Sequence, residues 1–164
     1  MPFAYVKATE GRTFVDPHWA GAEAAGVQRG AYHFFSLCSP GADQAASFLR
    51  TAPPELESLP PALDLEILDA CADRPSPEVV QAELDAFAGR VEQAWGRKLL
   101  IYARSSWTRI YPLPGGEVRP QWRTSFFVRP SQAWAVWQVH YFARVDGVAG
   151  RVDLDVVRPA QLPS

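Results

Sequence analysis

Short apolar runs alternate with amphipathic helical stretches along most of this chain, and this alternation constrains the fold more than any other feature. Strands separated by helices predict a parallel β-sheet with helices packed outside it, an α/β fold. The seven predicted strands cover residues 3–8, 30–35, 62–67, 99–103, 122–128, 134–139 and 152–157. Seven strands are one short of a closed eight-stranded barrel.

Three helices are predicted between the early strands. The best defined has Ser76 as its N-cap, Pro77 at its first position and Gly96 at its end. Its apolar positions follow helical spacing and predict one buried face: Val80, Leu84, Phe87, Val91 and Trp95. The other two helices are predicted over residues 17–26, after an N-cap at Asp16, and over residues 42–52.

Length and composition favour one soluble domain over residues 1–164. The chain is 48% hydrophobic and 21% charged, as is usual for globular proteins. Its net charge is -2, without a dense block of Lys or Arg, which argues against nucleic-acid binding. No run approaches the roughly 20 apolar residues that span a bilayer. The N-terminal segment Met1–Lys7 lacks the pattern of a signal peptide.

The chain has two cysteines, Cys38 and Cys71. Two thiols do not make a disulfide framework, and their spacing matches no zinc-binding pattern. Both follow predicted strands, so one disulfide and two free thiols are both compatible with the sequence.

An acidic pair, Asp64 and Glu66, stands at the end of the third predicted strand, residues 62–67. Residues two apart in a strand point to the same face, roughly 6.5–7 Å apart. Glycosidic cleavage uses one protonated carboxyl as general acid and a second that stays charged. Crowding of two acids raises one pKa, and we expect the proton on Glu66. The alternative is that both side chains sit at a strand end and face water.

Other polar and aromatic residues are predicted at the same rim of the sheet, where barrel active sites collect. They are Glu10, Tyr32, His33, Tyr102, Trp137, Gln138 and Asp153. Each also has a structural interpretation. Tyr32 and Trp137 could be core residues, and His33 could be a buried, hydrogen-bonded side chain. Asp153 could cap a turn.

The ordered set of motifs resembles glycoside hydrolase family 25, the Chalaropsis-type lysozymes. The likeness begins with residues 3–11 and includes the family's Asp-X-Glu at Asp64 and Glu66. The other matching pieces are Asp16, residues 25–27, residues 30–34, Gln44-Ala45, Phe48-Leu49, Ile101-Tyr102, Trp122, Trp137-Gln138 and residues 152–155. The resemblance covers nearly the whole chain.

This resemblance implies an irregular β/α (TIM-like) barrel that hydrolyses the β-1,4 bond between N-acetylmuramic acid and N-acetylglucosamine in peptidoglycan. Glu66 would be the general acid, Asp64 its neighbour that orients the substrate's acetamido group, and Asp153 a further catalytic carboxylate. The sugar groove would be lined by Glu10, Tyr32, His33, Tyr102, Trp137 and Gln138. The family needs no metal or cofactor. We expect a monomer that acts on the bacterial cell wall, outside the cell or after phage release.

The sequence also departs from the family pattern. The usual first strand with its Asp-X-Ser motif is absent, which predicts unpaired sheet edges. A barrel that binds glycan strands without cleaving them is therefore an alternative. A third hypothesis is a metal-dependent hydrolase with His33, Asp64, Glu66 and Asp153 as ligands.

Overall fold

The computed structural model describes residues 3–14, 18–67, 71–115, 119–146 and 148–162, which form one mixed β-sheet with helices packed against it. The strands are β1 (Phe3–Glu10), β2 (Thr13–Phe14), β3 (Gln28–Phe34), β4 (Ala62–Leu65), β5 (Leu100–Ala103), β6 (Gln121–Thr124), β7 (Val136–Ala143) and β8 (Val152–Val157). The helices are α1 (Trp19–Ala24), α2 (Gly41–Thr51), α3 (Pro77–Trp95) and α4 (Ser105–Thr108), and a 3-10 turn over Pro159–Gln161 follows β8.

The strands lie in the spatial order β2-β1-β3-β4-β5-β6-β7-β8. The six strands β1 and β3 to β7 run parallel, so their carboxyl ends share one rim. β2 and β8 run antiparallel to their neighbours. The predicted α/β class is confirmed, with the sheet curled into a half-barrel. Within the described residues the edge strands β2 and β8 do not pair with each other, so the sheet is open.

The strands depart from the predictions mainly in the last third of the chain. β6 ends at Thr124, four residues earlier than predicted, and Phe127 beyond it has a φ of 61°, outside the extended region. β8 is antiparallel rather than parallel because only residues 144–151 connect Ala143 to Val152, and a parallel crossover needs a dozen or more. The unpredicted β2 forms where the chain reverses at Gly11.

The longest helix, α3, agrees with the prediction at both ends. Ser76 is its N-cap, Pro77 its first residue, and Gly96 adopts the left-handed φ of 65° with which helices commonly end. All five predicted core positions are buried, and they pack with α2 on one face of the sheet. The predicted start of the first helix, residues 16–17, lies outside the described residues. No helix in the described ranges is long and apolar enough to cross a membrane.

A close contact between helices α2 and α3 gives a first prediction. A Cβ atom added at Gly41 would lie 1.9 Å from the backbone oxygen of Glu83, which cannot move without shifting α3. We expect Gly41→Ala to lower the free energy of unfolding by about 1–3 kcal/mol, measured by urea denaturation. Gly89→Ala in α3 is the control, because nothing lies within 4 Å of its added Cβ. A Gly41→Ala protein as stable as the Gly89→Ala protein would show that the helices are not in contact here.

The two cysteines form a disulfide, with a Cα–Cα distance of 5.8 Å. Cys38 lies in the loop after β3, and Cys71 lies in the connection between β4 and α3. Of the two arrangements that the sequence allowed, the single bridge is the one present. It fastens together two loops at the carboxyl rim of the sheet.

Candidate active site

A row of side chains crosses the sheet on the face opposite helices α2 and α3, here called the inner face. The strand register pairs Glu10 with Phe34, Phe34 with Asp64, Asp64 with Tyr102, and Tyr102 with Trp122. Residues paired in this way point to the same face of a sheet. Three of the predicted site residues, from strands β1, β4 and β5, are therefore brought into one line.

Four further predicted residues join the inner face by strand alternation. Tyr32 lies two residues before the row in β3, and Glu66 lies two residues beyond it after β4. Gln138 is placed by its register with Thr124 in β6. In β8, Asp155 pairs with Gln138, and Asp153 lies two residues before Asp155 on the same face. Because β8 runs antiparallel to β7, Asp153 lies nearer the carboxyl rim. Seven of the nine predicted site residues thus share this face.

The side chain of Tyr32 shows how closely the acids gather. Burial raises the pKa of its hydroxyl, and the charges of Asp64, Asp153, Glu66 and Glu10 raise it further. Four carboxyls from three different segments of the chain therefore act on one phenol. The inner face at this rim is a strongly acidic site.

Asp64 is the most perturbed of these acids. Its Oδ1 atom is buried and has no hydrogen-bond partner among the described residues. Burial raises the pKa of Asp64 well above its usual value, and the neighbouring charge of Glu66 raises it further. Lys7 and Arg104 oppose the shift but do not reverse it. Burial therefore favours the protonated form of Asp64.

Glu66 occupies a different environment from its neighbour. Its side chain is 18% exposed, and its Oε2 atom lies 3.1 Å from Nη1 of Arg104. This ion pair holds the Glu66 carboxyl in place. The sequence argument placed the proton on Glu66; the carboxyl that is buried, without a partner and raised in pKa is that of Asp64.

Polar contacts hold the residues at the β5–β7 end of the site. The hydroxyls of Tyr102 and Thr124 lie 3.1 and 2.8 Å from Oε1 of buried Gln138. The amide of Gln138 also hydrogen-bonds Asp153, which lowers the pKa of that carboxyl, although burial outweighs this and the net shift is upward. The network fixes the orientation of the amide toward Asp153.

A cleft of about 360 Å³ opens at one end of this face. Glu10 and Glu66 both line it, whereas Asp64 does not. Its other walls are the chain reversal at residues 11–13, the segment 34–39 after β3, and Cys71. The disulfide therefore forms part of the wall beside Glu66, and Glu66 is the member of the acid pair that a ligand in the cleft can reach.

Two predicted groove residues lie on the opposite face of the sheet. His33 is fully buried, accepts or donates hydrogen bonds at 2.7 Å to Thr9 and 2.9 Å to Gln44, and stacks on Phe87. Trp137 directly precedes Gln138, so alternation turns its ring to the other face, where it packs against Trp134. Neither side chain lines the inner face, and both assignments to the sugar groove are wrong.

The comparison with protein families matches the model for glycosyl hydrolases family 25 to residues 1–150. The chain belongs to this family. A family 25 glycosyl hydrolase from Bacillus anthracis superposes with a TM-score of 0.81 and 32% identity, over 96% of this chain and 78% of that one. The bacterial lysozyme from Streptomyces coelicolor gives a TM-score of 0.78 and 28% identity, over 99% of this chain and 84% of that one.

A curated relative, Lysozyme M1 of Streptomyces globisporus, is 30% identical over 93% of this chain and 58% of its own length. This family 25 chain spans about three-fifths of the length of the curated relatives it matches. The family predicted from the sequence motifs is thereby confirmed.

Several residues of this family 25 site had not been predicted. Arg104 pairs with Glu66, and Thr124 contacts Gln138. Asp155 accepts a hydrogen bond of 2.8 Å from Trp122, and burial raises its pKa to about 7. Asp155 could have been found from the sequence, because it lies two residues after Asp153 in the same strand. Arg104 could not, because it is 38 residues away from its partner.

The metal-dependent hypothesis does not fit this arrangement. His33 lies on the opposite face from Asp64, Glu66 and Asp153, so the four proposed ligands cannot converge on one ion. Within the described residues, the ligand atoms that do cluster belong to Cys38, Cys71 and Asp73. Both sulfur atoms of that group are joined in the disulfide and offer no thiolate.

Proposed function

We propose that this chain hydrolyses the β-1,4 bond between N-acetylmuramic acid and N-acetylglucosamine in the peptidoglycan of bacterial cell walls. The observation that carries the proposal is the acid pair on the inner face, with Glu66 open to the cleft and Asp64 beneath it. Membership of family 25 and the lysozymes among its relatives support the substrate class. The proposed chemistry requires no metal or cofactor.

Glu66 is proposed as the general acid because it is the member of the acid pair that reaches the cleft. Carboxyls this close titrate as a pair, and the raised pKa of Asp64 helps the pair to retain a proton. In the reacting complex this proton must be delivered through Glu66 to the leaving glycosidic oxygen. Arg104 stabilises Glu66 once the proton has left.

Asp64 is proposed to orient the substrate. Its Oδ1 atom has no protein partner and can accept a hydrogen bond from the acetamido N–H of the sugar once the proton has passed to Glu66. Asp153 is proposed as a charged neighbour of the cation-like transition state. Glu10, Tyr32, Tyr102 and Gln138 are proposed to bind sugar hydroxyls, since their polar groups share the inner face.

The open edge of the sheet favours a second candidate function. Asp153 lies in β8, the edge strand whose outer side is unpaired in the described structure. If this edge leaves the carboxyl cluster incomplete, the chain would bind glycan strands without cleaving them. Binding and turnover must therefore be measured separately.

The test combines a turnover assay with calorimetry. Purified insoluble peptidoglycan is incubated with the protein, and new reducing ends and loss of turbidity are followed. Calorimetry with muropeptide oligomers measures binding in parallel. New reducing ends support the hydrolase. Binding without new ends supports the second candidate, and the absence of both would reject the two functions together.

A further inference from the structure

Five ring side chains form an exposed cluster where β6 and β7 end, here called the aromatic patch. It consists of Phe126, Phe127, His140, Tyr141 and Phe142. His140 stacks on Phe142 with ring centroids 4.3 Å apart, and Phe126 contacts Tyr141 at 5.3 Å. Phe127 is 67% exposed and Tyr141 60% exposed. A contiguous apolar surface of this kind usually marks a binding site.

The aromatic patch continues directly from the polar network of the site. The amide of Ser125 donates to the carbonyl of Gln138, and the amide of Phe127 donates to the carbonyl of Val139. These bonds extend the β6–β7 pairing beyond the network that holds Asp153. The positive charge of His140 also lowers the pKa of Asp153, so the two elements are close in space. The patch and the acids thus form one continuous surface.

The backbone of the patch is strained. Phe127 has a φ of 61°, the one positive value for a residue other than glycine among the described residues. Bulky side chains rarely adopt this conformation, because it is strained for any residue other than glycine. Glycine would relieve the strain but would remove the ring. The conformation exposes two-thirds of the phenyl ring to solvent instead of burying it.

Two arginines and Asp146 lie in the connection between β7 and β8, which gives residues 144–151 a net charge of +1. Arg144 directly follows Ala143 and Arg151 directly precedes Val152, the last pair of the β7–β8 ribbon, and both arginines are exposed. Neither makes an ion pair within the described part of the chain. The positive charges of Arg144 and Arg151 repel each other, and an anionic ligand bound beside them would reduce this repulsion.

We propose that the aromatic patch extends the substrate groove and stacks on the sugar rings of an anionic glycan strand beyond the bond that is cleaved. The apolar face of a pyranose ring packs on an aromatic ring, and the two arginines pair with the carboxylates that peptidoglycan carries on its lactyl and peptide groups. The inference rests on the proposed function. It specifies that the enzyme binds several sugar units of the strand, and not only the two that flank the cleaved bond.

The test uses the Glu66→Gln protein, which we expect to bind insoluble peptidoglycan without cutting it. Binding is measured by depletion from solution. We expect Phe127→Gly with Phe142→Ala to weaken binding about tenfold or more. Phe127→Gly alone should weaken binding without lowering the melting temperature, since it relieves the strained backbone. Phe127→Tyr should bind as the parent does, because it keeps the ring.

The matched control is Leu56→Ala, which removes a side chain that is 87% exposed in the loop before β4, far from the carboxyl rim. Arg144→Gln with Arg151→Gln should weaken binding to peptidoglycan more than to uncharged chitin. Unchanged binding in the aromatic variants, with normal cleavage by the unmutated protein, would overturn this inference alone. Loss of self-association instead of wall binding would also overturn it and identify a protein interface.

The outcomes separate this inference from the proposed function. If the unmutated protein binds walls without cleaving them and the aromatic variants lose that binding, the aromatic patch is supported and the hydrolase is not. If the unmutated protein neither binds nor cleaves, both proposals are wrong.

Discussion

Glu66→Gln is expected to abolish release of reducing ends from purified cell walls, with a loss of at least about a thousandfold in rate. Glutamine keeps the size of the side chain and can still lie beside Arg104, but it carries no acidic proton for the leaving oxygen. Because the change is nearly isosteric at a half-buried position, the melting temperature should change little. The measurement is the initial rate of reducing-end formation.

Glu57→Gln is the matched control for this substitution. Glu57 is exposed in the loop before β4, at the opposite end of that strand from Glu66. Its variant should cleave walls at the unmutated rate. Undiminished lysis by the Glu66→Gln protein would contradict the assignment of Glu66 as the general acid.

Asp64→Asn is expected to lower the rate of cleavage by about a hundredfold or more and to make the protein more stable at neutral and alkaline pH. The pKa of Asp64 is raised in the folded protein, mainly by burial. Stability from this group is therefore complete below its unfolded pKa and is lost as the pH rises through its folded pKa. Asparagine cannot ionise, so its variant does not lose this stability.

The gain in stability should be on the order of 1 kcal/mol at alkaline pH, in keeping with substitutions at strained functional positions. Thermal denaturation of both proteins between acidic and alkaline pH measures it, and the difference should widen as the pH rises. Asp85→Asn is the control, because Asp85 is exposed on α3. A constant difference, or a variant that is less stable at every pH, would show that Asp64 is not the protonated acid.

The parts of the site that follow from strand alternation were predictable from the sequence. Asp64 and Glu66 are two residues apart, so a strand at this position places them on one face wherever it lies in the sheet. The same rule could have excluded two errors. Tyr32 and His33 are adjacent, as are Trp137 and Gln138, and adjacent residues of a regular strand cannot both face the groove.

The different environments of the two acids could not be predicted from the sequence. They depend on burial of Asp64 Oδ1 and on Arg104, which only the fold brings to Glu66. The direction of β8 was also missed, because the predicted end of β7 left a connection long enough for a parallel crossover. The extension of β7 to Ala143 shortens that connection and requires the reversal.

The most direct test of the proposed hydrolase identifies the sugar at each newly formed reducing end. Fragments released from purified peptidoglycan are reduced with borohydride, fully hydrolysed and analysed by mass spectrometry. We predict N-acetylmuramitol-derived ends that accumulate with time and are absent from digests with the Glu66→Gln protein. Ends derived from N-acetylglucosaminitol, or soluble fragments without any new reduced sugar, would contradict cleavage of the muramyl bond by this acid pair.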